Sequence, residues 1–270
     1  SAYTETLSGS LGSGIIQDHY PPRNSVDIPR NTKIMITFKE GIYLPSMIAG
    51  YDDDNASTDL NTDNILIYPT ADGTDSALAS NEVAVYYDAS QENFVFDPVP
   101  LLGSAIEDTN YTVALLSGIL TDAGYDAFTD SYGDGYEWTF EVSTEVDLTP
   151  PQIVSVQPAD GETFDKNITV SITFDEAMDP LASTGTYNPI PEGEEPEGTF
   201  SNIEVLFPDE LGDNVEGTFV ISNGYKTVDF TTFDACSQDP CGDIIYCLPG
   251  DTGISVDVAA AEVNVDDAPQ

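Results

Sequence analysis

The sequence predicts an all-β chain built as two antiparallel β-sandwiches. Three observations predict it. Short alternating apolar runs recur along the 270 residues. Clusters of Gly, Pro, Asp and Asn separate them. One long pattern occurs twice. Helical spacing is almost absent, whereas period-two alternation puts one face of a strand in a core and turn chemistry between runs marks antiparallel connections.

In the first half the runs are Lys33 to Phe38 (KIMITF), Asn64 to Tyr68 (NILIY), Glu82 to Tyr87 (EVAVYY), Asn93 to Phe96 (NFVF), Tyr111 to Leu116 (YTVALL) and Tyr136 to Val142 (YEWTFEV). In the second half they are Gln152 to Val156, Ile168 to Phe174, Ile203 to Phe207, Gly217 to Ile221, Thr227 to Phe230 and Ile254 to Val258. Alternation sends Ile36 with Phe38, and Ile172 with Phe174, into their cores. Trp138 falls on an expected core strand.

Sliding the chain so that Pro22 falls on Pro158 also brings Asn31 onto Asn167, Ile36-Thr37-Phe38 onto Ile172-Thr173-Phe174, and Glu40 onto Glu176. The chain is therefore a tandem repeat, with Leu148-Thr149-Pro150-Pro151 as a short stiff joint, because proline fixes φ and extends the residue before it. The expected organisation is an N-terminal extended segment (1–20), a first domain (21–146) with an acidic insertion from Asp52 to Asp63, and a second domain (147–270).

The stretch TPPQIVSVQPADGETFDKNITVSITFDEAMDP resembles the bacterial Ig-like domain of surface-layer and other cell-surface proteins. The family pattern has a Pro-Pro start, a P-x-x-G turn and an I-x-I-x-F-x-E-x-M-D strand. Its late half resembles Tyr111 to Gly124 (YTVALLSGILTDAG) followed by Trp138-Thr139-Phe140. The resemblance implies two tandem Ig-like sandwiches and an extracellular or cell-surface setting. The cysteine-bearing CSQDPCGDIIYCLP departs from the family pattern.

The charge balance narrows the partners. With 49 acidic residues against 6 basic ones, the formal net charge is −43. Such a chain repels nucleic-acid phosphates and anionic membranes. Cations, glycans, basic or neutral protein surfaces and other copies of itself remain as partners. No run of 18 apolar residues could span a membrane as a helix. The chain begins at Ser1, without signal peptide or initiator Met, as expected of a processed secreted protein or of an excised piece.

No catalytic constellation is legible, and the chain reads as non-enzymatic. The lone His19 is expected at the surface, and no Ser or Cys nucleophile signature accompanies it. The acidic loops are a different matter. YDDDNASTDLNTDN supplies Asp52, Asp53, Asp54, Asp59 and Asp63, and TDAGYDAFTDSYGDG supplies Asp122, Asp126, Asp130 and Asp134. Both gather hard oxygen ligands suited to Ca²⁺ without the EF-hand spacing; the bland alternative is a solvated acidic surface. PEGEEPEG, residues 191–198, reads as an exposed loop. Cys236, Cys241 and Cys247 predict one disulfide and one free thiol. Cys241 with Cys247, and Cys236 with either, are all open pairings.

The N-terminal segment is expected to belong to neither repeat. Tyr3, Leu7, Leu11, Ile15 and Ile16 punctuate Ser, Thr and Gly, which suggests a strand that pairs with an open sheet edge of a neighbouring copy. Such a head-to-tail contact does not close, so it builds filaments or layers. Arg23, Arg30, Lys33 and Lys39 follow it as a candidate seam for an acidic neighbour. The alternative reading is an adhesive or stalk module that binds a glycan or a cell-surface protein.

Overall fold

A computed structural model of the chain describes residues 14–52, 57–129, 135–187, 202–207 and 213–259. They fall into two compact units divided between Pro150 and Pro151.

In unit 1, β1 (Ile16–Tyr20), β2 (Ile34–Phe38), β5 (Asn93–Pro98) and β4 (Val83–Tyr87) form one sheet in the order β1-β2-β5-β4. The second sheet is β3 (Ile65–Pro69), β6 (Thr109–Leu115) and β7 (Tyr136–Val142), in the order β3-β6-β7. All pairings are antiparallel. A short helix, α1 (Leu44–Met47), follows β2, with Pro45 in its first turn, where a missing N–H costs nothing. The β-branched and aromatic faces of the two sheets meet in one core. Ile36, Phe38, Phe94 and Val113 have no exposed surface there, and Phe38 meets Phe94 edge to face at 5.8 Å.

In unit 2, β8 (Ile153–Gln157), β9 (Val170–Phe174), β10 (Gly185–Tyr187), β13 (Gly217–Ser222) and β14 (Thr227–Thr232) form a sheet in the order β10-β13-β14-β9-β8. A second sheet orders β11 (Ile203–Phe207), β12 (Asp213–Asn214) and β17 (Ser255–Val258) as β12-β11-β17. The helix α2 (Pro180–Ser183) is capped by the Asp179 side chain, which accepts from the Leu181 N–H. β15 (Ala235–Gln238) and β16 (Ile244–Tyr246) form a separate hairpin. Val170, Ile172, Phe174, Phe219 and Phe230 are buried, the last two with ring centroids 4.8 Å apart.

The chain is thus all-β with antiparallel sheets, consistent with the Ig-like sandwich. The two units repeat each other in register. Ile16 pairs with Phe38, the ladder bulges, and His19 then pairs with Ile36. Ile153 pairs with Phe174, bulges at the same place, and Val156 pairs with Ile172. Ile36 faces Phe94 as Ile172 faces Val228. Asn64 donates to the Ser46 carbonyl from the start of β3, as Asn202 donates to the Ala182 carbonyl before β11. The Leu102 N–H donates to the Arg30 carbonyl, as the Leu248 N–H donates to that of Lys166.

Three expectations are corrected. The first repeat starts at Ile16, inside the segment assigned to a leader, because β1 is the counterpart of β8. His19 is not a surface residue: the bulge turns it to the same side as Ile16, and it is 3% exposed. Ile16, expected to dock on a neighbouring copy, is buried in its own unit, with Ile15 packed partly against that core.

Candidate functional site

Three features were legible as sites: the acidic loops, the cysteines and the N-terminal segment. In the first acidic loop, Asp53 and Asp54 lie outside the described residues. Asp52, Asp59 and Asp63 are exposed. The Asp59 carbonyl accepts from the Ala49 N–H and Asp59 bridges to Ala84, so backbone pairing pins the loop end. The Asp63 N–H donates to the Asn61 side chain. In the second loop, Asp130 and Asp134 lie outside the described residues, while Asp122 and Asp126 are exposed. The Asp122 N–H donates to the Gly41 carbonyl, and Asp126 bridges back to Leu120. Among the described residues, no three His, Cys, Asp or Glu side chains converge as metal ligands.

The structure pairs Cys236 with Cys247, at a Cα–Cα distance of 5.7 Å, and leaves Cys241 free and exposed. The bridge closes the base of the β15–β16 hairpin, where the Cys247 N–H also donates to the Asp234 carbonyl. At the tip, the Asp239 carboxylate accepts from the N–H groups of Cys241 and Asp243. Cys241 stands exposed at that turn. Unit 1 has no counterpart to this hairpin among its described residues.

Of the N-terminal candidates, Tyr3, Leu7 and Leu11 lie outside the described residues; Ile15 and Ile16 belong to unit 1. The basic residues nearby are not a vacant seam. The Arg23 guanidinium donates to the Glu137 carbonyl and lies 5.2 Å from the Tyr136 ring centroid. Arg30 donates to the carbonyls of Leu102 and Gly103, and Lys39 to that of Gly14. Lys33 reaches Asp97 at 3.8 Å, a half-exposed pair of small energetic weight.

Sequence reasoning missed a buried polar cluster under β1. The His19 ring lies 4.2 Å from the Trp138 ring, its Nδ1 is 2.9 Å from the Pro21 carbonyl, and its Nε2 is 3.0 Å from the Tyr136 hydroxyl. A carbonyl can only accept, so Nδ1 carries the proton and Nε2 accepts from Tyr136. Burial holds the imidazole down to about 3, with the Pro21 hydrogen bond opposing and the Arg23 charge assisting. The neutral ring, hydrogen-bonded at both nitrogens, is a structural pin between the sheets.

The geometry defines a pair of antiparallel Ig-like sandwiches. Residues 147–238 match the family described as the bacterial Ig-like domain. The matching registers of β1–β2, β2–β5 and β3–β6 with β8–β9, β9–β14 and β11–β17 extend the same fold to unit 1. No curated protein sequence matches the chain. Among solved structures it is similar to CopC from Methylosinus trichosporium OB3b, at 12% identity and a TM-score of 0.30, covering 50% of this chain and 98% of that one. It is also similar to the S-layer protein rSbsC(31-844), at 10% identity and a TM-score of 0.31, and to domains 1–6 of the surface layer protein SbsC, at 11% identity and 0.30. Each of these two covers 91% of this chain, which spans 40% of their length.

Proposed function

We propose that the chain is a non-enzymatic structural module of the cell surface, a subunit of a layer or filament joined head to tail through its N-terminal segment. The carrying observation is a contrast in composition. Residues 1–13 hold a single charged side chain, Glu5, in a chain of net charge −43. In an extended segment, Tyr3, Leu7 and Leu11 share one face with Glu5 and Gly9, while Ala2, Thr4, Thr6, Ser8 and Ser10 share the other. A strand with large apolar side chains on one face and a single charge suits addition to a sheet edge. The bacterial Ig-like match of residues 147–238 supports a cell-surface role. Calcium held by the acidic loops would offset repulsion between copies. Deleting residues 1–13 is expected to abolish high-mass species in sedimentation velocity and fibres or lattices in negative stain. Retained assembly would refute the reading.

The adhesive alternative is favoured by Tyr86, Tyr87 and Tyr125, which stand exposed on unit 1 as flat surfaces on which a sugar ring could stack. Glycan-array binding lost on their substitution to Ala would support it.

A further inference from the structure

Asparagine followed by any residue but proline, and then by Ser or Thr, is the tripeptide that takes an N-linked glycan. It occurs in this sequence as Asn55-Ala56-Ser57, Asn110-Tyr111-Thr112 and Asn167-Ile168-Thr169. In each, an aspartate stands two residues before the asparagine: Asp53, Asp108 and Asp165. With 49 acidic residues in 270, chance places an acid there in fewer than one case in five, so its presence every time is a pattern. The spacing has a physical meaning. In an extended chain, a residue shares its face with those two before and two after it. An enzyme that holds such a segment as a strand meets a carboxylate, a carboxamide and a hydroxyl in one line. A basic side chain of that enzyme can pair with the first of them.

The fold treats these tripeptides differently. Asn55 lies outside the described residues. Asn110 is exposed, but it sits in β6 opposite Glu141, and its carbonyl accepts from the Thr70 N–H. Thr112 is 4% exposed, with its hydroxyl oxygen 2.8 Å from that of Thr70. The hydroxyl of this tripeptide is therefore locked inside unit 1. Asn167 is the opposite case. It lies in a turn before β9, and Asp165, Asn167 and Thr169 are all exposed. Its loop is held where the Leu248 N–H donates to the Lys166 carbonyl, and pairing with β14 begins only at Val170. Phe164 stands three residues before Asn167 and is 41% exposed, an aromatic face on which the apolar side of a first sugar ring can stack.

We infer that Asn167 is an N-glycosylation site, recognised through Asp165 and Thr169 and open to a glycosyltransferase on the folded chain, whereas the fold closes Asn110. The donor is an oligosaccharide joined through its anomeric carbon to a lipid-borne phosphate. The Asn167 amide nitrogen bonds to that carbon and gives up one proton. The bond from the carbon to the phosphate oxygen breaks, and the lipid phosphate leaves with the electron pair. No oxidant or reductant takes part. Modification requires export of the chain but not its assembly, so it stands apart from the head-to-tail reading.

The test is peptide mass spectrometry of the chain isolated from its native source, alongside Asn167→Gln and Asp165→Ala alleles expressed there. Cleavage at acidic residues separates the peptides that hold Asn110 and Asn167. The wild-type Asn167 peptide is expected to carry a glycan whose fragmentation leaves the first sugar on Asn167, and the Asn110 peptide to be bare. Asn167→Gln should abolish that added mass. Asp165→Ala should lower occupancy at least about tenfold, the weight of one charge-assisted hydrogen bond. Circular dichroism of both variants checks that they fold. A bare Asn167 in the wild-type chain overturns the assignment. A glycan on Asn110 overturns the selection by the fold, and equal occupancy in wild type and Asp165→Ala overturns the part given to Asp165.

Discussion

At the scale of single residues, the two cores make comparable demands. Phe38 is fully buried and Phe174 is 4% exposed, each at the end of its sheet strand. Truncation of either to Ala is expected to cost about 3–5 kcal/mol in urea unfolding; a loss within error would mean that the side chain does not pack in its core. His19 makes a different, pH-dependent demand. Its native pKa of about 3 lies below the ordinary 6.5, so the fold refuses a proton that the unfolded chain accepts. Its contribution is complete above pH 6.5 and is lost progressively as the pH falls toward 3. Against a His19→Gln reference, the wild type should lose about 2 kcal/mol more between pH 7 and pH 5, since each unit of pH below 6.5 is worth roughly 1.4 kcal/mol and little is lost above it. Parallel pH profiles for the two proteins would mean that the buried imidazole titrates in the native state.

At the scale of elements, the strands whose side chains alternate were legible, and those governed by other rules were not. KIMITF, NILIY and YEWTFEV announce β2, β3 and β7 because their apolar residues recur with the pleat. β1 does not announce itself. Its bulge puts Ile16 and His19 on one face at a spacing of three, and IQDHY then looks like polar leader. The bulge recurs in β8, where IVSVQ is apolar enough to be noticed regardless. β15 and β16 are exposed and held by a disulfide rather than by a core, so hydrophobic periodicity carries no signal for them. The cysteine count leads one to expect one bridge and one thiol, without saying which. The choice of Cys236 with Cys247 depended on a hairpin that only the fold reveals. That element makes a countable prediction: the native chain should show one titratable thiol, Cys241, and unfolding without reductant should reveal no other. Three thiols would remove the bridge, and with it the argument for an oxidising compartment. The acidic loops were legible as clusters of carboxylate. Whether they converge was not, because sequence spacing gives no distance between loop side chains.

At the scale of the whole molecule, the dominant force still to be weighed is repulsion. A net charge of −43 is offset internally by very little: the basic side chains mostly serve carbonyl oxygens, and Lys33 with Asp97 is a weak surface pair. Carboxylates crowded on a compact fold stand closer together than in the unfolded chain, so low ionic strength should penalise the native state. Raising salt shortens the screening length from about 30 Å at 0.01 M to about 3 Å at 1 M. The melting temperature should therefore climb with NaCl, with no specific ion required. Calcium adds a separable effect. If the loops containing Asp52–Asp63 and Asp122–Asp134 bind it, millimolar Ca²⁺ should raise the melting temperature above an NaCl control of equal ionic strength, because a ligand held only by the native state stabilises it by mass action. Mg²⁺ should reproduce little of that excess, since it requires a small octahedral site and releases water reluctantly. Thermal melts in chelator, matched NaCl, MgCl₂ and CaCl₂ decide the point. If matched NaCl recovers the entire gain, the carboxylates act only as a solvated coat. Assembly would then depend on salt to bring copies together and on the N-terminal strand to hold them.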